Sequence, residues 1–136
     1  MARSDILHHA WCDNGPQWRG VMLASAEQVL ALKPDPGLLK GLEIGVVAPL
    51  LKGEAQFEVR AFFPGNNGMT EDPVTGSLNA SMGQWLMGAG LAPNSYVASQ
   101  GACLARAGRV YVHRDEQNQV WVGGESVTCI QGSVKL

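Results

Sequence analysis

The residues best suited to chemistry stand together in Glu71-Asp72-Pro73-Val74-Thr75-Gly76-Ser77: an acidic pair, a rigid turn and a row of small residues. An apolar run over residues 78–90 follows directly and reads as a helix. A helix opening here presents N–H groups with no partner inside the helix, and its macrodipole places partial positive charge at the same end. Gly76 lets backbone approach a ligand closely, while Thr75 or Ser77 can cap the helix and offer a hydroxyl. Such an arrangement suits an anion. Thr75, Gly76 and Ser77 are therefore the candidate substrate-binding residues. Asp72 is the candidate catalytic residue, a carboxylic acid placed to carry a proton, and Glu71 is expected to be solvated or structural.

The helix that must position these groups is unusual. Residues 73–105 contain no Asp, Glu, Lys or Arg, although 16% of the chain is charged. A surface helix normally carries one charged face. This one has Leu78, Met82, Trp85, Leu86 and Met87, relieved only by Asn79, Ser81 and Gln84. The run falls short of the roughly 20 apolar residues of a membrane span and is broken by Gly83, Gly88 and Gly90. A helix sheathed by protein on nearly all sides is the expectation.

The sheath must come from the rest of the chain. Ser4 or Asp5 can cap a short helical turn through Ile6, Leu7 and His8, and Asp13-Asn14-Gly15-Pro16 is a strong turn signal. Residues 18–24 read as a strand, and Ser25-Ala26-Glu27-Gln28 is a capping box opening a helix that Lys33 and Pro34 end. Asp35-Pro36 favours one further turn over Leu38 and Leu39. Residues 43–51 form a mostly apolar strand. Residues 56–63 alternate, with Phe57, Val59, Ala61 and Phe63 on one face and Gln56, Glu58, Arg60 and Phe62 on the other. Pro64-Gly65-Asn66-Asn67-Gly68 is a loop leading to the acidic motif. Beyond the helix, residues 95–100, 102–106, 109–114, 119–123 and 126–135 read as short strands. The sum is an α+β domain spanning residues 1–136: a strongly curved, mostly antiparallel sheet wrapped around one central buried helix.

Composition narrows the function classes. With 46% hydrophobic residues and 17 glycines in 136, the chain is globular and turn-rich. A net charge of -2 without runs of like charge argues against nucleic acid or an acidic membrane as partner. The three cysteines, Cys12, Cys103 and Cys129, are odd in number and far apart, and are expected to be buried or half-buried thiols. His8, His9 and His113 are expected at the surface, and the four tryptophans as core or interface anchors. The N-terminus leads into no secretory segment, so a cytoplasmic location is expected. No metal, nucleotide or redox motif is present, and no cofactor is expected.

With these residues in view, the chain resembles the PhzF-like (phenazine biosynthesis-like) isomerase family, and specifically its second half. The residues that carry the resemblance are Glu71-Asp72-Pro73-Val74-Thr75-Gly76-Ser77, Asp13-Asn14-Gly15-Pro16-Gln17-Trp18, Phe57-Glu58-Val59-Arg60-Ala61-Phe62, Ser99-Gln100-Gly101 and Val120-Trp121-Val122-Gly123-Gly124. The resemblance implies a fold like that of diaminopimelate epimerase, in which two similar lobes flank a cleft, each a curved sheet around a central helix. It also implies that Asp72 lies in that cleft as proton donor or acceptor, and that Gly76 and Ser77 bind a substrate carboxylate. In the family a second, N-terminal lobe supplies the principal acid/base glutamate. Glu27, Glu43, Glu54 and Glu58 sit in contexts that do not match it, so this chain is expected to form one wall of a site. Three functions are open: an isomerase completed by a second copy or a separate N-terminal lobe, a carboxylate-binding module without turnover, or a self-associating structural lobe. A homodimer or a partner lobe is expected in each, because a lobe taken alone exposes apolar surface.

Overall fold

Alternation along residues 57–62 sorts two cores onto the two faces of a single sheet in the computed structural model, which describes residues 2–65 and 68–135. The strands are β1 His8–Asp13, β2 Gln17–Met22, β3 Ile44–Pro49, β4 Phe57–Gly65, β5 Gly68–Asp72, β6 Ser95–Gln100, β7 Gly108–Arg114 and β8 Val120–Gly123. They run in the order β1-β2-β3-β4-β6-β7-β8, with β5 paired to β4 off this path. Two helices connect them, α1 Ala26–Leu30 and α2 Gly76–Gly88. Both edge strands, β1 and β8, touch α2, so the sheet curls into a half-barrel around that helix.

Chirality explains the layering. All neighbours pair antiparallel except β2 with β3 and β4 with β6, which are parallel and joined through α1 and α2 respectively. Both crossovers step the same way along the sheet, yet the first strand pair runs opposite to the second. A right-handed crossover in each then requires helices on opposite faces. The cores agree: Phe57, Val59 and Ala61 pack with Leu78, Met82 and Leu86 of α2, whereas Phe62, Val46 and Ala48 pack with Val29 of α1. Each fully buried Leu, Val or Met stabilises the fold by about 1.5–3 kcal/mol. This enclosure is why α2 carries no charge. It lies so close to β3 that a β-carbon at Gly45 would run into the Leu78 side chain.

Helix α1 is short and is held at both ends. Ser25 caps it, with Oγ accepting from the Gln28 N–H at 3.4 Å while Gln28 Oε1 accepts from the Ser25 N–H at 3.3 Å. At the other end Arg60 reaches from β4 and donates through Nη1 to the carbonyls of Val29, Leu30 and Leu32. The same guanidinium pairs with Glu71 at 2.7 Å. Among the described residues no helix is long and apolar enough to cross a membrane.

Several local expectations are corrected. Residues 6–8 are not helical. A 3-10 turn occupies Arg3–Asp5 and His8 begins β1, which the turn at residues 14–16 folds back onto β2. Of the Gly-rich stretch read as a loop, Pro64 and Gly65 end β4 and Gly68 begins β5, while Asn66 and Asn67 fall outside the described residues. Residues 102–106 are not a strand. Gly101 at φ 95° and Ala105 at φ 55° bracket the 3-10 turn Ala102–Leu104, which takes the chain out of the sheet. Residues 126–135 form no strand either; they run exposed beyond β8. The tryptophans divide as expected between core and open surface: Trp18 is core, and Trp11 and Trp121 are 65% and 61% exposed, the first stacked on Arg19 and the second donating to Asp115. Cys12 is buried as expected, but Cys103 and Cys129 are exposed.

Candidate functional site

The acidic motif forms a tight corner between β5 and α2. Asp72 is the last residue of β5, held in register opposite Ala61 of β4, and is half-buried. Pro73 and Val74 are exposed at the corner, and Thr75 is the N-cap residue of α2. The Thr75 hydroxyl does not cap the helix. It donates to Asp72 Oδ2 at 2.7 Å, so the side chain that a helix start would ordinarily use on itself is turned onto the carboxylate.

The corner rests on Gln100, at the end of β6. Its Oε1 accepts from the Thr75 N–H at 3.1 Å and from Asn79 Nδ2 at 2.8 Å. Its Nε2 donates to the Asp72 carbonyl at 2.9 Å and to Thr75 Oγ1 at 2.8 Å. The next residue must be glycine: a β-carbon on Gly101 would come within 2.6 Å of the Pro73 carbonyl oxygen. The parallel β4–β6 pairing thus seats the end of β6 under the start of α2.

At the helix start the first intrahelical turn closes with the Asn79 N–H donating to the Thr75 carbonyl at 3.0 Å. Among the described residues, nothing accepts from the amides of Gly76, Ser77 and Leu78. Gly76 is exposed, and a β-carbon there would meet no atom within 4 Å, so its backbone is open to approach. Ser77 is half-buried and tied at two atoms. Its Oγ accepts from the buried Trp18 Nε1 at 3.1 Å, and its carbonyl accepts from Asn14 Nδ2 at 2.9 Å. The β1–β2 turn is pinned onto the helix by these bonds, and the Ser77 hydroxyl proton stays available to a ligand.

All four residues singled out in the sequence, Asp72, Thr75, Gly76 and Ser77, therefore meet at one end of α2. Thr75 is the buried member, with both its N–H and its hydroxyl engaged inside the protein. Glu71 is structural through its pair with Arg60. Gln100, Asn79, Trp18 and Asn14 complete the arrangement without having been singled out as site residues. The signal for Gln100 was an amide closing a strand in a stretch without charges. Two titrating groups lie on other strands. Burial pushes the Cys12 thiol of β1 up to about 11. Burial also raises the Glu58 carboxyl of β4, with the Ser99 hydroxyl and the guanidiniums of Arg109 and Arg60 pulling the other way. Among the described residues no three His, Cys, Asp or Glu side chains converge as a metal ion would require.

The family model of phenazine biosynthesis-like proteins (PhzC-PhzF) matches residues 2–132. An uncharacterized isomerase of Pasteurella multocida is 28% identical over 128 residues, which is 93% of this chain and 44% of that protein. Among solved structures, a phenazine biosynthesis PhzC/PhzF protein from Clostridium difficile superposes with a TM-score of 0.64 at 28% identity, covering 88% of this chain and 45% of that one. A PhzF-family phenazine biosynthesis protein from Enterococcus faecalis gives 0.64 at 27% identity, over 96% and 48%. The chain spans less than half the length of these relatives. Its acidic corner, its half-barrel around α2 and the match over residues 2–132 agree: the chain belongs to the phenazine biosynthesis-like (PhzC-PhzF) family.

Proposed function

We propose that this chain is an isomerase-type lobe that holds a small carboxylate-bearing acid at the start of α2 and moves one of its protons through Asp72. The free amides of Gly76 and Ser77, with the Ser77 hydroxyl, bind the substrate carboxylate. Asp72 is the acid/base, and the cleft is completed by a second copy of the chain or by a separate N-terminal lobe. The observation that carries this reading is the bond from Thr75 to Asp72 Oδ2, which orients a half-buried carboxylate beside unpartnered helix amides. The name of the Pasteurella relative supports isomerisation as the reaction class. The test is deuterium uptake at the α-carbon of small amino and hydroxy acids in D2O. Asp72→Asn should abolish uptake while leaving the circular dichroism spectrum intact, and unchanged uptake in that variant would sink the assignment.

A second reading, a carboxylate-binding or self-associating module without turnover, is favoured by the exposed segment after β8, where Val127, Ile130 and Val134 are 87%, 92% and 80% exposed. It predicts that small carboxylates raise the melting temperature of Asp72→Asn as much as that of the parent chain.

A further inference from the structure

We infer that Gln100, acting through Thr75, decides which oxygen of Asp72 carries the proton. This rests on the acid/base reading of Asp72 given above. The Gln100 amide cannot be turned around. Its Oε1 faces the Thr75 N–H, which can only donate, and its Nε2 faces the Asp72 carbonyl, which can only accept. A flipped amide would set hydrogen against hydrogen and oxygen against oxygen. The second hydrogen of Nε2 goes to Thr75 Oγ1 at 2.8 Å. Because that hydroxyl accepts from Gln100, its single hydrogen points at Asp72 Oδ2, 2.7 Å away. Asn79 locks the arrangement from behind: its Nδ2, oriented by the Thr75 carbonyl at 2.9 Å, also donates to Gln100 Oε1. Gln100 is 0% exposed, so water does not compete for any of these bonds.

Two fixed backbone groups thus set the sense of a relay that ends on Asp72. Oδ2 is an acceptor, and a proton taken up by the carboxylate sits on Oδ1. In the proposed reaction a substrate C–H bond breaks, its electron pair stays with the substrate, and the proton passes to Oδ1. The O–H formed there exchanges with solvent, and the reverse step returns a deuteron to carbon. Thr75 and Gln100 touch neither substrate nor reacting atoms; they are positioning residues.

The test uses Thr75→Val, which keeps shape and removes the hydroxyl, Thr75→Ser, which keeps the hydroxyl, and Gln100→Met, which removes the amide hydrogens. In the deuterium-uptake assay Thr75→Val should lower kcat by roughly tenfold to a hundredfold with KM unchanged, and Thr75→Ser should restore most of it. Full kcat in Thr75→Val, with Asp72→Asn inert, overturns the relay and leaves the acid/base reading standing. Uptake by Asp72→Asn equal to that of the parent overturns the acid/base reading itself. Nuclear magnetic resonance gives a readout independent of turnover. The Thr75 hydroxyl proton should appear as a slowly exchanging resonance that is lost in Gln100→Met while the Thr75 methyl signal remains. Its absence from the parent chain overturns the inference.

Discussion

Glu58 is a buried carboxyl in β4. It is 4% exposed, and its Oε1 has no hydrogen-bond partner among the described residues. Burial raises its pKa above the ordinary 4.5, so between 4.5 and the raised value the folded chain holds a proton that the unfolded chain has released. Stability from this group is therefore greatest below 4.5 and is lost as pH rises through that window. Glu58→Gln should remove this slope and raise stability at neutral pH by about 1 kcal/mol, checked by urea denaturation of both proteins from pH 4 to pH 8. The cysteines give a second residue-scale prediction. Cys12 is buried with its pKa at about 11, whereas Cys103 and Cys129 are exposed. A thiol reagent at neutral pH should therefore modify Cys103 and Cys129 in the native protein, and Cys12 only after denaturation.

Among the elements, α1 depends on a residue outside itself. Five residues are too few for an isolated helix to persist in water, and Arg60 supplies the missing support by binding three carbonyls at its C-terminal end. Arg60→Met keeps the apolar stem but leaves those carbonyls and the half-buried Glu71 without a partner. A loss of about 3–5 kcal/mol in chemical denaturation is expected. Gly45→Ala should also destabilise, by about 1–3 kcal/mol, because the added methyl meets Leu78 of α2. These two cases separate what the sequence could tell from what it could not. The strand at residues 56–63, the Ser25 capping box and the charge-free helix were legible because each is a local pattern: period two, a cap at fixed spacing, a missing polar face. The role of Arg60 at α1 was not, since the carbonyls it binds there lie 28 to 31 positions away. The same holds for the site. Asp72, Thr75, Gly76 and Ser77 are contiguous and could be read together, but Gln100 reaches them only through the parallel β4–β6 pairing. The strand expected at residues 102–106 failed for a related reason, because the chain is turned aside there by packing of Gly101 under Pro73.

For the whole molecule, apolar surface is left open at both sheet edges. Trp11 on β1, Trp121 on β8, and Val127, Ile130 and Val134 beyond β8 are all exposed. Surfaces of this kind rarely stay bare on a monomer. The chain of 14.5 kDa should sediment as a dimer or bind a separately expressed N-terminal lobe, and a monodisperse monomer at micromolar concentration that ignores such a lobe would count against both. Deleting residues 125–135 should weaken that association while leaving the melting of the half-barrel unchanged, since those residues are exposed throughout. The uncharged helix has a kinetic consequence of its own. Strand β6 is joined to β4 only through β5 and α2, so the sheet over the longest stretch without a charge is closed by long-range pairing. Like other chains closed by long-range pairing, this one passes through states that expose sticky segments, and residues 73–105 lack the charges that keep such segments apart. Its refolding yield should fall as protein concentration rises, and growth at low temperature or synthesis alongside a completing lobe should recover it.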